Sequence, residues 1–343
     1  MKSNYSEFRQ DPVSGDWILI VPGRVQHAWQ LTQPIKKKQS TPIRGCVFED
    51  PIGLHASDTL LFRYAHREQE EWHPIVTKNR WDILVVENKY PAVRHTDGTL
   101  VETKEGSSSI IPGAGHHDLV ITRDHKKDFS ELTPDMAFHV LEAFRSRYLM
   151  LFADKNIAYV SIFHNWGSGA GATVAHPHYQ MLAIPVVPPD VKRSLDGSTA
   201  YAHEHKECVH CEMIDWEIQK KTRVIVETKD AIAVAPFVSR NPFEVRVFPK
   251  KHNPYFENAS DQELHAIAVV LQRALKKIKK NLNDTDYNFF VHTAPILNKK
   301  MYDHYHWHIE IFPKVSTRAG FEYGTGIEIN VIDPDFAAHI LKK

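Results

Sequence analysis

Apolar positions along the chain fall into two spacings. Leu264, Ile267, Val270, Leu271 and Leu275 recur at three and four residues, the period of one helix face. Ser260-Asp-Gln-Glu263 stands just before them as a capping box, so a helix is expected to start near Ser260. A second helix-like stretch covers 133–154. Short apolar runs at 117–122, 159–163, 181–185, 243–248, 287–291 and 309–312 read as strands.

These elements come twice in the same order. Cys46 and Glu49, a strand, His125, a helix, a strand and His176-Pro-His178-Tyr-Gln180 form the first series. Cys208 and Cys211, a strand, His252, a helix, a strand and His306-Trp-His308 form the second. His125 and His176 are 51 residues apart, His252 and His306 54. The first series is longer between Cys46 and His125, and an insertion at 97–115, rich in Gly, Ser and charge, explains the difference. Pro188-Pro-Asp190 and Asp196-Gly-Ser-Thr199 read as a turn-rich linker. They divide the chain into an N-terminal domain at 1–190 and a C-terminal domain at 200–343. Each half reads as antiparallel strands with a packing helix, an α+β class built from tandem repeats.

Composition narrows the function. The chain has 343 residues, 42% of them hydrophobic, enough for a substantial core. Lys+Arg and Asp+Glu are equal at 42 each, so no overall basic field draws nucleic acid. No apolar run reaches about 18 residues, and the N-terminus lacks an apolar signal core, so a soluble cytoplasmic protein with no membrane partner is expected. Three cysteines are no disulfide framework; the close pair suits a metal in a reducing compartment. With 22 His, H-x-H pairs arise by chance, so only their place in the repeat gives them weight.

Cys208, Cys211, His252 and His306 supply two thiolates and two imidazoles, a tetrahedral zinc set with no open position and hence a structural role. The competing reading is a pair of buried, unligated cysteines. The first half offers Cys46, Glu49, His125 and His176, a harder and weaker set. There Glu49 either ligates an ion or simply hydrogen-bonds to the histidines. His116 and His117 fit the repeat less well than His125. His203, His205 and the Lys276-Lys-Ile-Lys-Lys280 run read as solvated, and Trp17, Trp81 and Tyr90 as packing residues.

In His176-Pro-His178 a strand's period of two puts both imidazoles on one face. One can serve a metal and the other a substrate. Asn165-Trp-Gly-Ser-Gly-Ala-Gly-Ala-Thr173 lies upstream, and its glycines let backbone N–H groups approach phosphate oxygens. A neutral imidazole attacks phosphorus without first losing a proton, provided its other nitrogen is held by a hydrogen bond.

The chain resembles the galactose-1-phosphate uridylyltransferase branch of the histidine triad superfamily. His176-Pro-His178-Tyr-Gln180 resembles its H-P-H-x-Q, Asp11-Pro-Val-Ser-Gly-Asp-Trp17 its D-P-x-x-G-x-W, and Asn88-Lys-Tyr-Pro91 its N-K-Y-P. Asp124-His125, Phe163-His-Asn165 and Gly324-Thr-Gly-Ile-Glu328 also fall at family positions. The resemblance implies His178 as nucleophile and Gln180 as hydrogen-bond donor to the phosphoryl oxygens. It implies nucleotide or phosphate contacts at Arg24, Asn88, Asn165, Gly167, Ser168 and Thr173, and Glu328 on the hexose. It also implies zinc, a homodimer, and a nucleotide sugar with a sugar phosphate as substrates, UMP moving between hexose 1-phosphates. The alternatives are a phosphorylase acting on ADP-glucose or a dinucleoside polyphosphate, and a nucleotide-binding protein without turnover. The chain departs from the pattern at Glu49, in place of a second cysteine, and at Tyr179, in place of a small residue. Its second metal set resembles that of ADP-glucose phosphorylase relatives.

Overall fold

The computed structural model describes residues 5–22, 42–51, 60–64, 81–297 and 299–343. The first half carries β1 (Glu7–Gln10), β2 (Trp17–Ile20), β3 (Leu60–Tyr64), β4 (Ile83–Glu87), β5 (Thr103–Glu105), β6 (Ser108–Ile110), β7 (His116–Thr122), α1 (Pro134–Leu151), β8 (Tyr159–Trp166) and β9 (His178–Ile184). Next come α2 (Pro189–His205), α3 (Val209–Lys220), β10 (Val224–Glu227), β11 (Ala231–Val234), β12 (Val245–Pro249), α4 (Asp261–Asn281), β13 (Tyr287–His292) and β14 (His308–Pro313). The chain ends with α5 (Gly320–Thr325), β15 (Glu328–Asn330) and α6 (Pro334–Leu341).

Ten strands form one antiparallel sheet in the order β10-β11-β12-β14-β13-β8-β9-β7-β4-β3. Read outward from the centre, β8-β9-β7-β4-β3 has the order of β13-β14-β12-β11-β10. The repeat seen in the sequence is therefore a structural one, and the halves join where β8 pairs with β13, His164 opposite Phe289. A separate sheet sets β2 between β1 and β15, so the N-terminal strands pair with a C-terminal one. The insertion at 97–115 contains the exposed β5–β6 hairpin.

Helices α1 and α4 pack together against one face of the large sheet. All five periodic residues of α4 are fully buried there. Thr133 Oγ1 accepts from the Met136 N–H at 3.2 Å at the start of α1, and Ser260 Oγ accepts from the Glu263 N–H at 3.2 Å at the start of α4. The return half of the expected capping box is replaced: the Glu263 carboxylate accepts from Trp307 Nε1 at 2.8 Å, tying α4 to the strand below it. The main core draws on both halves, with Phe144, Tyr148, Tyr179, Leu271, Phe289 and Trp307 in one cluster.

Two expectations change. The residues read as a linker belong to α2, Pro188 as its N-cap and the rest within the helix. Its Pro189 sits in the first turn, where a missing N–H costs nothing. Gly197 is a packing residue, since a Cβ there would lie 2.0 Å from the Val13 carbonyl oxygen. The lysine run is not uniformly solvated either. Lys279 reaches Asp128 of the first half at 2.7 Å, and Asp128 is fully buried. Gln272, also on α4, donates to the Phe129 and Leu132 carbonyls at 3.2 and 2.8 Å. Among the described residues no helix is long and apolar enough to cross a membrane.

Shared strands and shared core predict that the halves unfold together. Urea denaturation should show one transition. Gln272→Ala, which strands two buried carbonyls, should lower stability by about 2–4 kcal/mol without splitting that transition.

Candidate active site

Alternation along β9 sorts its side chains. Tyr179 and Met181 point into the helix-covered core, and His178 and Gln180 point to the other face. Tyr179 packs on Phe129, Phe144, His164 and Phe289, so the family departure at this position is accommodated in the core and leaves the site face untouched.

His178 is buried, and its Nδ1–H donates to the His176 carbonyl at 2.9 Å. That bond leaves the lone pair on Nε2. Burial lowers the pKa of His178, so the ring is neutral at pH 7. The backbone beneath is fixed in turn, because His164 Nδ1–H donates to the His178 carbonyl at 2.7 Å. Phe48 covers the ring, with centroids 4.9 Å apart.

Gln180 is oriented by a residue that sequence reasoning set aside. The Ala92 N–H donates to His117 Nδ1 at 3.1 Å, which places the imidazole proton on Nε2. His117 Nε2–H then donates to Gln180 Oε1 at 2.9 Å. The amide nitrogen of Gln180 is thereby turned away from His117, free to donate elsewhere. Gln180 pairs directly with Leu119, and His117 reaches it as the diagonal neighbour across β7 and β9. Asn88 joins the group, its backbone N–H bound to the His117 carbonyl at 2.8 Å and its Nδ2 3.4 Å from His117 Nε2.

Asn165 sits on β8 and accepts from Asn288 Nδ2 of β13 at 2.7 Å. The Gly-rich loop follows, but most of its amides are already engaged. Gly169 N–H donates to the Asp286 carboxylate at 2.7 Å, and those of Ala170, Gly171 and Ala172 donate to carbonyls within the loop. A Cβ on Gly167 would meet Asp286 Oδ1 at 1.9 Å. The glycines thus let the loop close over an aspartate of the second half, rather than offering a row of free N–H groups. Ser168 and Thr173 flank this turn. Glu328 lies on β15 in the smaller sheet, where Arg318 Nε–H donates to it at 2.7 Å; the structure does not bring it into contact with His178. Arg24 lies outside the described residues.

Both expected metal sets converge. Cys211 Sγ lies 3.3 Å from His252 Nδ1 and 3.5 Å from His306 Nδ1, and Cys208 belongs to the same cluster. Cys208 is the N-cap of α3 and Cys211 lies in its first turn, so the start of a helix spaces the pair. The hydrogen bond from Cys211 drives Cys208 well below an ordinary thiol pKa. In the first half, His125 Nδ1 lies 2.9 Å from Glu49 Oε1 and 3.1 Å from His176 Nδ1, and Cys46 Sγ is 3.8 Å from His176 Nδ1. In three of these four histidines Nε2–H donates to a carbonyl: His176 to Thr122, His252 to Asp303 and His306 to Pro249. Each Nδ1 lone pair therefore faces the shared centre, which is how a protein presets an imidazole ligand.

The second repeat keeps the ring geometry and loses the reactive surroundings. His308 Nδ1–H donates to the His306 carbonyl at 3.0 Å, as His178 does to His176. Yet Glu310, at the position matching Gln180, is clamped by Arg246 at 3.0 Å and Arg240 at 2.7 Å. Burial pushes His308 down to about 3.

The chain is similar over most of its length to known proteins. A family described as a domain of unknown function, DUF4921, matches residues 82–342. ADP-glucose phosphorylase of Arabidopsis thaliana is 32% identical over 98% of this chain and 92% of its own length. Galactose-1-phosphate uridylyltransferase of Thermotoga maritima is 26% identical over 77% of this chain and 85% of its own. The crystal structure of the Arabidopsis thaliana ADP-glucose phosphorylase with bound ADP-glucose superposes with a TM-score of 0.80 at 30% identity, covering 99% of each chain.

The His164 ring supporting His178 predicts an acid response. Burial pushes His164 down to about 4, below the ordinary 6.5, so only the unfolded chain takes up its proton in between. Stability should be intact above pH 6.5 and fall as pH drops toward 4, with about 2 kcal/mol lost from this group by pH 5. Urea midpoints of wild type and His164→Phe at pH 7 and pH 5 measure it; the variant should show the smaller difference.

Proposed function

The chain belongs to the galactose-1-phosphate uridylyltransferase family, an enzyme family of nucleotidyl transfer that includes ADP-glucose phosphorylase, and on that premise we propose that His178 carries the transferred nucleotide. In the first step His178 Nε2 attacks the α-phosphorus of a nucleotide sugar. The N–P bond forms as the bond to the bridging oxygen breaks, and hexose 1-phosphate leaves as an anion. In the second step an acceptor phosphate oxygen attacks the same phosphorus and the N–P bond breaks. No proton need leave the ring beforehand, because Nδ1–H stays on the His176 carbonyl throughout. That hydrogen bond is the observation that carries the reading.

Gln180 donates its amide N–H groups to the phosphoryl oxygens, turned toward them by His117. An amide cannot protonate a leaving group, which favours transfer over hydrolysis. Asn88, Asn165, Ser168, Thr173 and Gly167 line the approach, with Arg24 as a further phosphate contact. Glu328 holds hexose hydroxyls. Because its strand lies in the other sheet, that role suits a site completed by a second subunit in a homodimer. The first acceptor reading is hexose 1-phosphate with a uridine nucleotide. The second, inorganic phosphate acting on an adenylyl intermediate from ADP-glucose, is favoured by the 32% identity over nearly the whole chain to an ADP-glucose phosphorylase.

Zinc is the ion we assign to both centres. Its preference for four N and S ligands matches Cys208, Cys211, His252 and His306, and it accepts the carboxylate of Glu49 beside Cys46, His125 and His176. When bound it supplies a fixed point for the loops it joins, and His176 transmits that fixity to the carbonyl holding His178. The two domains, 1–190 and 200–343, then divide the work, the first bearing the nucleophile and the second a structural zinc.

Intact-mass measurement after brief exposure to UDP-glucose or ADP-glucose, quenched at mildly alkaline pH, should show one nucleoside-monophosphate increment. His178→Asn should abolish it, and the donor that produces it identifies the base; an increment that persists in the variant would refute the assignment. Gln180→Ala should lower kcat by about 10²–10³-fold, with the adduct still formed. Elemental analysis of a Cys208→Ser, Cys211→Ser variant should show one zinc fewer per chain than wild type, with a lower Tm.

A further inference from the structure

We propose that His95, His116 and Asp154 form a third metal site, separate from the two repeat-related centres, that takes a borderline divalent cation such as Zn²⁺, Ni²⁺ or Co²⁺.

Three chain segments meet there. His95 follows the Asn88-Lys-Tyr-Pro91 segment, His116 is the first residue of β7, and Asp154 lies in the turn after α1. Arg94 and Ala114 form a parallel bridge, and the Gly115 N–H donates to the Arg94 carbonyl at 2.9 Å. Gly115 is required for this approach: its φ is +150°, and a Cβ would lie 2.0 Å from the Ala183 carbonyl oxygen. Asp154 is held by its own turn, its N–H bound to the Leu151 carbonyl at 3.1 Å and its Oδ1 accepting from the Asn156 N–H at 2.9 Å. That leaves Oδ2, which faces His95 Nδ1 at 3.1 Å and His116 Nε2 at 3.0 Å.

The three ligand atoms lie within 4.8 Å of one another. Atoms bonded to one tetrahedral zinc sit roughly 3.3 Å apart, so an ion enters with small shifts. The cluster shares its signature with the two centres above, where prospective ligand atoms crowd at similar distances. An exposed carboxylate stands on the outer side of one imidazole. His95 Nε2 lies 3.3 Å from Asp97 Oδ1, a carboxylate on the far side of the ring from Asp154. The rings of His95 and His116 stack at 5.0 Å, so both nitrogens reach the carboxylate from adjacent planes.

The donor set contains no thiolate, which separates it chemically from the cysteine centres and suits imidazole-preferring ions. Its His95 side chain is 50% exposed while those of His116 and Asp154 are 17% and 12% exposed, so the ion enters from solvent onto a fixed base. Three protein ligands leave positions for water. An ion here ties the segment bearing Asn88 to the start of β7, one residue before His117.

The test uses untagged full-length protein dialysed free of loosely held metal. Resident metal is measured by elemental analysis, and NiCl₂ is then titrated by calorimetry. Resident metal plus bound nickel should be one equivalent per chain higher in wild type than in a His95→Ala, His116→Ala variant. The cysteine-bound metal should be equal in both, which checks that the variant is folded. Asp154→Asn, which keeps the side-chain shape, should weaken nickel binding at least tenfold. Equal totals in wild type and double variant, or unchanged affinity in Asp154→Asn, overturn the site. Neither readout involves nucleotide transfer, so the outcome is independent of the role of His178.

Discussion

The pairing of β8 with β13 is the constraint on which the rest of the molecule depends. It fuses two five-stranded repeats into one sheet, and it also assembles the site on the first repeat from parts of the second. Asn288 orients Asn165 across that seam, and Asp286, one residue before β13, fills the turn of the Gly-rich loop. The loop's four engaged amides show what its glycines are for: they admit a carboxylate to backbone that any side chain would block. A site that seems local in sequence is thus framed by residues more than a hundred positions away.

Below the seam the same economy governs the histidines. A ring nitrogen pinned to a carbonyl leaves the other nitrogen with a defined lone pair, and the chain uses this device for His176, His252 and His306, the proposed ligands, and for His178, the proposed nucleophile. Ligand and nucleophile differ only in which nitrogen is pinned. The carbonyl that orients His178 belongs to His176, so the candidate metal ligand and the proposed reacting ring are two residues apart at the start of β9. In the second repeat the same ring geometry survives at His308, but Arg240 and Arg246 have converted the surroundings to a closed ionic cluster.

Much of this was legible in the sequence. Period and capping placed α4, and the repeated order brought out both clusters of candidate metal ligands. What stayed hidden depends on contacts that no local pattern encodes. His117 acts on Gln180 only through the register of β7 with β9, and Asp286 belongs to no motif. Helix α2 was masked by its own composition, because Pro, Gly, Ser and Asp serve a helix start and a close packing contact as readily as a turn. Lys279 looked solvated because its charged partner, Asp128, is buried in the other half.

The fused sheet also bears on how the chain can be divided. Each repeat, taken alone, would end at the strand that now lies in the middle. β8 or β13 would become a free edge with a row of unpaired N–H and C=O groups, backed by a hydrophobic face. Such an edge is a template for pairing with any other copy. Joining the halves therefore does more than build a site. Each repeat blocks the surface through which the other would polymerise, so the duplication is self-terminating, and neither half is a natural unit for expression or recombination by itself.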